Sequence, residues 1–330
     1  MTNVFVTGGS GFIGQHLVKK LKQNGAQVFV LARSKDAATS VSALGATPVM
    51  GDLLRPESLN KLHKFDTVFH LAGTLDHGPG PEAMLAINTG GTKNIVEYCK
   101  KIGVKKLVYL SSLAVIADGS ILTDIDEQHP MPKKNIGSYA SSKAEAEKIV
   151  LSAADEDLAT VIIRAPFVWG PGDNFSLPKL IESIKNKYFS WIDQGNYLFS
   201  TCHVYNLVAG LAAAASFGKS KHVYYIQDGE TLTIRQFLET LIETQGIKVP
   251  SRSTSRKTLK LICDLIELPW RLLPLRSHNP THLRETMVLM GQPFYITSRK
   301  AERELHYEPV ISFDEGFSEM RKDGLLRALN

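Results

Sequence analysis

Apolar residues along this chain fall either in short continuous runs or in wider, helically spaced stripes, and the succession of the two predicts the architecture. Val4, Phe5 and Val6 form the first run. Glycines 8, 11 and 14 follow at a spacing of three, and Phe12, Ile13, Leu17 and Leu21 open a helical stripe among them, so this stretch reads strand, tight turn, helix. Further runs predict strands over 26–31, 46–50, 66–72, 104–111 and 158–163, with helices over 82–102 and 138–153 among the segments between them. Strands alternating with helices imply right-handed crossovers and an α/β fold whose parallel sheet is covered on both faces. In such sheets ligands sit beyond the carboxyl ends of the strands, which directs attention to the loops starting at Thr7, Ala32, Asp52, Ala72, Ser111 and Arg164.

Beyond Gly170 the regular alternation stops. A Pro/Gly loop (170–173), helices over 177–186 and 205–217 and a strand over 223–226 are predicted, and from Asp228 onward the chain is mostly helical. The expected division is a first domain over 1–174, to which 200–227 returns, and a smaller, mostly helical domain over 175–199 and 228–330. Within the latter, 257–275 carries an apolar stripe (Leu259, Ile262, Ile266, Trp270, Leu273) interrupted by Pro269 and flanked by Lys260, Arg271 and Arg276. Three readings of this segment stay open: a core-facing helix, a lid over a lipophilic substrate, and an interfacial helix in peripheral contact with a membrane.

Composition narrows the classes. With 330 residues, 43% hydrophobic and 22% charged, the chain can bury a sizeable core. A net charge of +5 with scattered Lys and Arg marks no nucleic-acid surface, so no nucleic-acid partner is expected. No apolar run reaches the roughly 20 residues of a spanning helix, and the chain enters a strand directly, without the pattern of a signal peptide. Three distant cysteines, Cys99, Cys202 and Cys263, read as reduced, buried thiols without metal-ligand spacing. A cytoplasmic location and no metal are therefore expected.

The glycine turn suits a dinucleotide. Glycine lets the backbone approach a pyrophosphate, and the helix start offers free N–H groups and a positive dipole end. The second strand ends Leu31-Ala32-Arg33, with no carboxylate for the adenosine ribose, and Arg33 could fork onto a 2′-phosphate; NADP is therefore preferred over NAD. Asp52 is placed either to accept from the adenine amino group or to cap the helix after Pro56. Ser111 and Ser112 end the fifth strand, and Tyr139 and Lys143 stand four apart on one helix face. An ammonium beside the phenol, joined by the charge of an oxidised nicotinamide, would favour the phenolate and bring Tyr139 toward a working pKa. His70 and His203 read as structural histidines.

TGGSGFIG (7–14), GDL (51–53), VFHLAG (68–73), NTGGTKNIV (88–96), VYLSS (108–112), YASSK (139–143) and RAPFVWGPGDN (164–174) occur in this order. On these motifs the chain resembles the extended short-chain dehydrogenase/reductases of the NAD(P)-dependent epimerase/dehydratase superfamily. Its last third (287–316) is similar to the 3β-hydroxysteroid dehydrogenase branch. The resemblance implies a Rossmann-type doubly wound sheet with a substrate domain, and Tyr139 as acid/base, Lys143 as its partner and ribose ligand, and Ser112 orienting the substrate. It places Gly8, Gly11, Phe12, Ile13 and Gly14 at the pyrophosphate, Ala72 and Gly73 along the cofactor, Asn88 as a brace, and Pro166, Phe167 and Val168 beside the nicotinamide. Arg33, Asp52, Leu53, Ser111 and Tyr139 itself complete the expected cofactor contacts. Three departures stand out: Ala32 for an Asp, Trp169 for a Tyr, and Tyr205 for an Asp. The first disfavours NAD, and the others bear on packing. The expected activity interconverts a secondary alcohol and a ketone on an apolar substrate of 3β-hydroxysteroid, sterol or 3-oxo lipid type. The alternative is a nucleotide-sugar epimerase or dehydratase. The resemblance also implies a homodimer formed by the helices around 82–102 and 138–153.

Overall fold

The computed structural model describes residues 3–59, 64–75, 80–272 and 281–323. Seven strands form the central sheet: β1 (Asn3–Thr7), β2 (Gln27–Ala32), β3 (Thr47–Met50), β4 (Thr67–His70), β5 (Lys106–Ser112), β6 (Ala159–Ala165) and β7 (His222–Tyr225). All pair in parallel, in the order β7-β6-β5-β4-β1-β2-β3. The expected strands are all present, with ends moved by one or two residues. At the fourth strand the reason is local: the Asp66 carboxylate accepts from Asn3 N–H (3.0 Å), and after Leu71, whose N–H still reaches the Thr7 carbonyl (3.2 Å), Ala72 turns its N–H to the Thr7 hydroxyl beside the glycine turn.

Alternation along the strands fills both faces. Val4 and Val6 pack with Leu17, Val18 and Leu21 of the first helix (Phe12–Gln23) and with Leu207 and Leu211 of the helix Val204–Phe217. Phe5, Val68, Leu107 and Tyr109 point the other way, onto Ile95, Cys99, Ala146 and Val150 of the helices Gly91–Ile102 and Gly137–Ala153. Every one of these side chains is buried.

Chain order in the sheet reverses between β1 and β4, which makes their carboxyl ends the switch point where such sheets hold ligands. The helix expected over 82–102 occurs in three pieces: Pro81–Leu85, a π turn over Ala86–Gly90, and Gly91–Ile102. A π turn adds a residue to the helical turn and often marks a functional position. This one carries Asn88.

A third cluster of buried side chains runs from Leu113 and Ile116 through Trp169, Trp191 and Phe237 to Phe313 and Met320. It includes a four-stranded sheet in the order Leu232–Thr233, Leu198–Phe199, Phe294–Ile296, Leu122–Ile125. The segment Leu122–Ile125, between β5 and the Tyr139 helix, is thus hydrogen-bonded to the last third of the chain.

The segment Arg256–Leu272 is helical straight through Pro269, where an interruption was expected. Its inward face carries Leu259, Cys263 and Glu267. Leu261 (58% exposed), Ile262 (39%), Leu265 (61%), Ile266 (39%) and Leu268 (45%) point outward, so this is not an ordinary core-facing helix. Residues 273–275 of the predicted stripe, and the Trp270 side chain, lie outside the described residues. Among the described residues no helix is long and apolar enough to cross a membrane.

Candidate active site

The glycine turn after β1 is shaped by close approach. Gly8 has φ +73°, and a Cβ there would lie 2.7 Å from the Ala72 backbone nitrogen; a Cβ on Gly14 would lie 2.1 Å from the Gly8 carbonyl oxygen. Only glycine meets both constraints. Gly11 begins the helix with no side-chain cap, and the first turn holds no acidic residue. The first backbone bond back into the helix is Gln15 N–H to Gly11 O (3.0 Å), which leaves the N–H groups of Phe12, Ile13 and Gly14 without helical acceptors. Bare backbone, orphan donors and no competing carboxylate fit a pyrophosphate at this cradle.

Beside the cradle runs a buried chain of hydrogen bonds. Ala72 N–H donates to Thr7 Oγ1 (3.2 Å), which lies 2.6 Å from His70 Nδ1; His70 Nε2 lies 2.9 Å from Thr92 Oγ1, and Thr92 donates to the Asn88 carbonyl (2.5 Å). Because the Thr92 proton is committed to that carbonyl, Nε2–H must donate to Thr92 and Nδ1 must accept from Thr7. The imidazole is neutral: burial, with Lys143 nearby, pushes its pKa down to about 3. His70 is a satisfied core histidine that fixes Ala72, against the glycine turn, relative to the π turn.

Asn88 extends that frame. Its Oδ1 accepts from Thr74 N–H (2.7 Å), and its Nδ2 donates to Thr74 O (3.0 Å) and Ser142 Oγ (2.9 Å). Ser142 in turn donates to the Tyr139 carbonyl (2.8 Å). The bracing side chain therefore joins the loop carrying Ala72 and Gly73 to the helix carrying Tyr139 and Lys143.

Lys143 is buried, with Nζ donating to the Leu110 carbonyl of β5 (2.7 Å) and standing 4.2 Å above the Tyr109 ring. A Cβ on Gly73 would sit 4.0 Å from that nitrogen. Burial brings the ammonium pKa down to about 7, against the opposing pull of Glu147. Glu147 follows at the same four-residue spacing as Lys143 from Tyr139, so the three share the face packed on the sheet. Arg164 of β6 forks onto Glu147 and leans on Tyr225.

Tyr139 is half-buried and hydrogen-bonded with Ser112, whose oxygen also accepts from Ala114 N–H (3.2 Å). Burial pushes the phenol up to about 12; the Ser112 bond opposes this, and the charge of Glu285 adds to it. The expected lowering by Lys143 is thus absent from the protein's own electrostatics. The ammonium is engaged by Leu110 and Tyr109 and is itself partly neutral near pH 7, so desolvation of the phenol wins.

Strand register brings the other expected residues near. Ser112 lies opposite Ala165, just before Pro166, Phe167 and Val168, and Phe167 meets Phe237 edge to face (5.9 Å). Ser111 is buried opposite Arg164, and its hydroxyl has no partner among the described residues. Arg33 is exposed past the end of β2, where Ala32 is buried. Asp52 does not cap the helix after Pro56: its Oδ1 closes a turn on Leu54 N–H (2.9 Å). Leu53 packs against Gly91, and its carbonyl accepts from Asn94. Trp169 donates to the buried Asp228 (2.9 Å), and Tyr205 packs on His203 and His16.

Sequence reasoning missed the Thr7–His70–Thr92 chain, the Glu147–Arg164 pair and Glu285. Helical spacing from Lys143 could have flagged Glu147. Nothing local could have flagged Glu285, which is 145 positions from its partner Ala140.

A sheet with a glycine cradle at its switch point and a Ser, Tyr and Lys gathered beside it is the framework of a dinucleotide-dependent dehydrogenase or reductase. Residues 5–257 match the 3-beta hydroxysteroid dehydrogenase/isomerase family, and the chain belongs to it. It is 37% identical to a 4-hydroxy-2-methyl-3-oxo-4-farnesyl-3,4-dihydroquinoline-1-oxide ketoreductase of Stigmatella aurantiaca, over 97% of this chain and 96% of that one. It is 29% identical to a decarboxylating sterol-4-alpha-carboxylate 3-dehydrogenase of Dictyostelium discoideum, over 97% and 100%. The fold also matches the UDP-glucuronic acid 4-epimerase of Bacillus cereus solved with NAD, with a TM-score of 0.74 and 19% identity over 99% of each chain, a likeness of fold alone. The chain is an NAD(P)-dependent oxidoreductase of hydroxyl and keto groups.

Proposed function

We propose that this protein interconverts a secondary alcohol and a ketone on an apolar, sterol-like or prenylated substrate, with Tyr139 moving the proton. The observation that carries the reading is the convergence of Ser112, Tyr139 and Lys143 at the carboxyl end of β5, beside the glycine cradle. The nicotinamide, when bound, supplies the hydride chemistry. Ser112 holds the substrate oxygen, with its acceptor side already turned to Ala114. Tyr139 gives or takes the proton at that oxygen. Lys143 adds positive charge by Gly73 and would hold the ribose. The farnesyl group and the sterol in the relatives' names support an apolar substrate.

NADP is the proposed cofactor, because Arg33 stands exposed at the end of β2 with no carboxylate at that strand end. The outer row Leu261, Leu265 and Leu268, with exposed Lys257 and Lys260, supports contact of Arg256–Leu272 with a bilayer surface, where an apolar substrate would be met. A homodimer is proposed from the family resemblance.

A screen of 3β-hydroxysteroids and 3-oxosteroids with both cofactors tests the main reading. Tyr139→Phe is expected to lower turnover by about 100- to 10,000-fold and Ser112→Ala by about 100-fold, with cofactor affinity unchanged. Full activity in Tyr139→Phe would remove the phenol from the reaction.

A further inference from the structure

Of the groups near Tyr139 that the proposed chemistry does not use, Glu285 has the most specific placement. It lies on the helix Thr281–Met290, far along the chain, yet its carboxylate is buried against the start of the Tyr139 helix. Oε1 accepts from Ala140 N–H (3.0 Å), and the carboxylate also takes the Tyr139 N–H. That helix has no side-chain cap of its own at Ile136 and no acidic residue in its first turn. The first N–H groups of a helix have no partner within it, and a carboxylate there also complements the dipole. The Tyr139 helix therefore takes its cap from a residue of the last third of the chain.

The local sequence is fitted to this arrangement. Gly137 has φ +78°, and a Cβ at this position would fall 2.3–2.8 Å from the carboxylate atoms of Glu285. Any side chain would expel the carboxylate. The preceding residue, Arg284, faces the opposite way and bonds both Glu267 (2.9 and 3.0 Å) and Asp264 (2.6 Å) of the outer helix Arg256–Leu272. Two consecutive residues thus tie the outward apolar helix to the Tyr139 backbone.

We propose that Glu285 is a positioning residue for the reaction: it holds the Tyr139 backbone in place and transmits the seating of the Arg256–Leu272 and Thr281–Met290 helix pair to the phenol. This rests on Tyr139 being the proton carrier. The groups facing Glu285 are few. Tyr139 comes from the helix it caps, with Lys143 one turn further on, while Asp264 and Glu267 of the outer helix lie on the other side, paired with Arg284. Desolvation pushes the Glu285 carboxyl up to about 7, so its charge changes in the neutral range, and that charge raises the phenol.

The test compares Glu285→Gln, which keeps an acceptor without the charge, with Glu285→Ala in the full chain. Hydrogen exchange at the Tyr139 and Ala140 amides is expected to quicken at least about tenfold in Glu285→Ala and to be largely restored in Glu285→Gln. The phenolate absorbance of Tyr139, read as the difference from matching Tyr139→Phe proteins, should titrate at lower pH in both, by roughly half a unit or more. With epiandrosterone as the alcohol, kcat should fall in Glu285→Ala and recover in Glu285→Gln, with cofactor affinity unchanged. Unaltered amide protection and phenol titration in both variants would overturn the proposal. So would a lower melting temperature in Glu285→Ala with an unmoved phenol, which is the signature of a merely structural contact. Should Glu285→Ala fail to fold, the phenol titration of Glu285→Gln decides by itself. Full turnover in Tyr139→Phe would instead overturn the functional reading, and the amide exchange would still report on the cap.

Discussion

The guanidinium of Arg164 forks onto the carboxylate of Glu147 at 2.9 and 2.6 Å, and both side chains are almost completely buried. Glu147 follows Lys143 by one helical turn, so its carboxylate supports the Lys143 ammonium as well as holding the Arg164 guanidinium in its charged form. Removing one partner of such a pair strands the other charge in a low-dielectric interior.

Glu147→Ala should accordingly lower stability by about 3–5 kcal/mol, measured by urea denaturation near neutral pH. Lys143 would lose the influence that raises its pKa, so turnover at neutral pH should fall even at temperatures where the variant is folded. A variant as stable as the parent would show that the pair is not energetically coupled to the fold.

Lys143 carries the opposite trade. Its pKa is brought down from 10.5 to about 7, so the unfolded chain binds the proton more tightly than the folded one between those values. The stability linked to this group is full above 10.5 and is lost as pH falls toward 7. Lys143→Met should therefore be inactive and yet more stable, by about 1–4 kcal/mol at neutral pH and below. The advantage should shrink on going from about pH 6 to about pH 9. Equal denaturation midpoints at both pH values would refute the burial argument.

For Arg33 the readout is cofactor discrimination. Titrating NADPH and NADH onto the parent and Arg33→Ala should show NADPH weakened about 10- to 100-fold, as loss of a charge-assisted contact predicts, with NADH unaffected. A preference that the variant leaves untouched would return Arg33 to the role of a solvated surface residue.

The outward row on Arg256–Leu272 is checked by sedimentation with phosphatidylcholine vesicles containing phosphatidylglycerol. The parent should pellet with lipid, and Leu261→Glu combined with Leu265→Glu should not, since each buried leucine side chain contributes about 1.5–3 kcal/mol. Pelleting that does not depend on lipid would retire the idea.

The sequence by itself determined the sheet, the cradle and the Ser112, Tyr139 and Lys143 set. Each of these is written in short-range pattern: β1 as an apolar run, the cradle as glycines three apart, and Tyr139 and Lys143 as a four-residue step on one helix. Even His70 was legible as a core histidine from its place in an apolar strand. Tertiary structure decided what depends on partners distant in the chain. Glu285 reaches Ala140 across 145 positions, Asn88 reaches Ser142 across 54, and Leu122–Ile125 pairs with Phe294–Ile296. It also decided the sign of the Tyr139 shift and the outward face of Arg256–Leu272, because desolvation and burial depend on what packs around a side chain rather than on its neighbours in sequence.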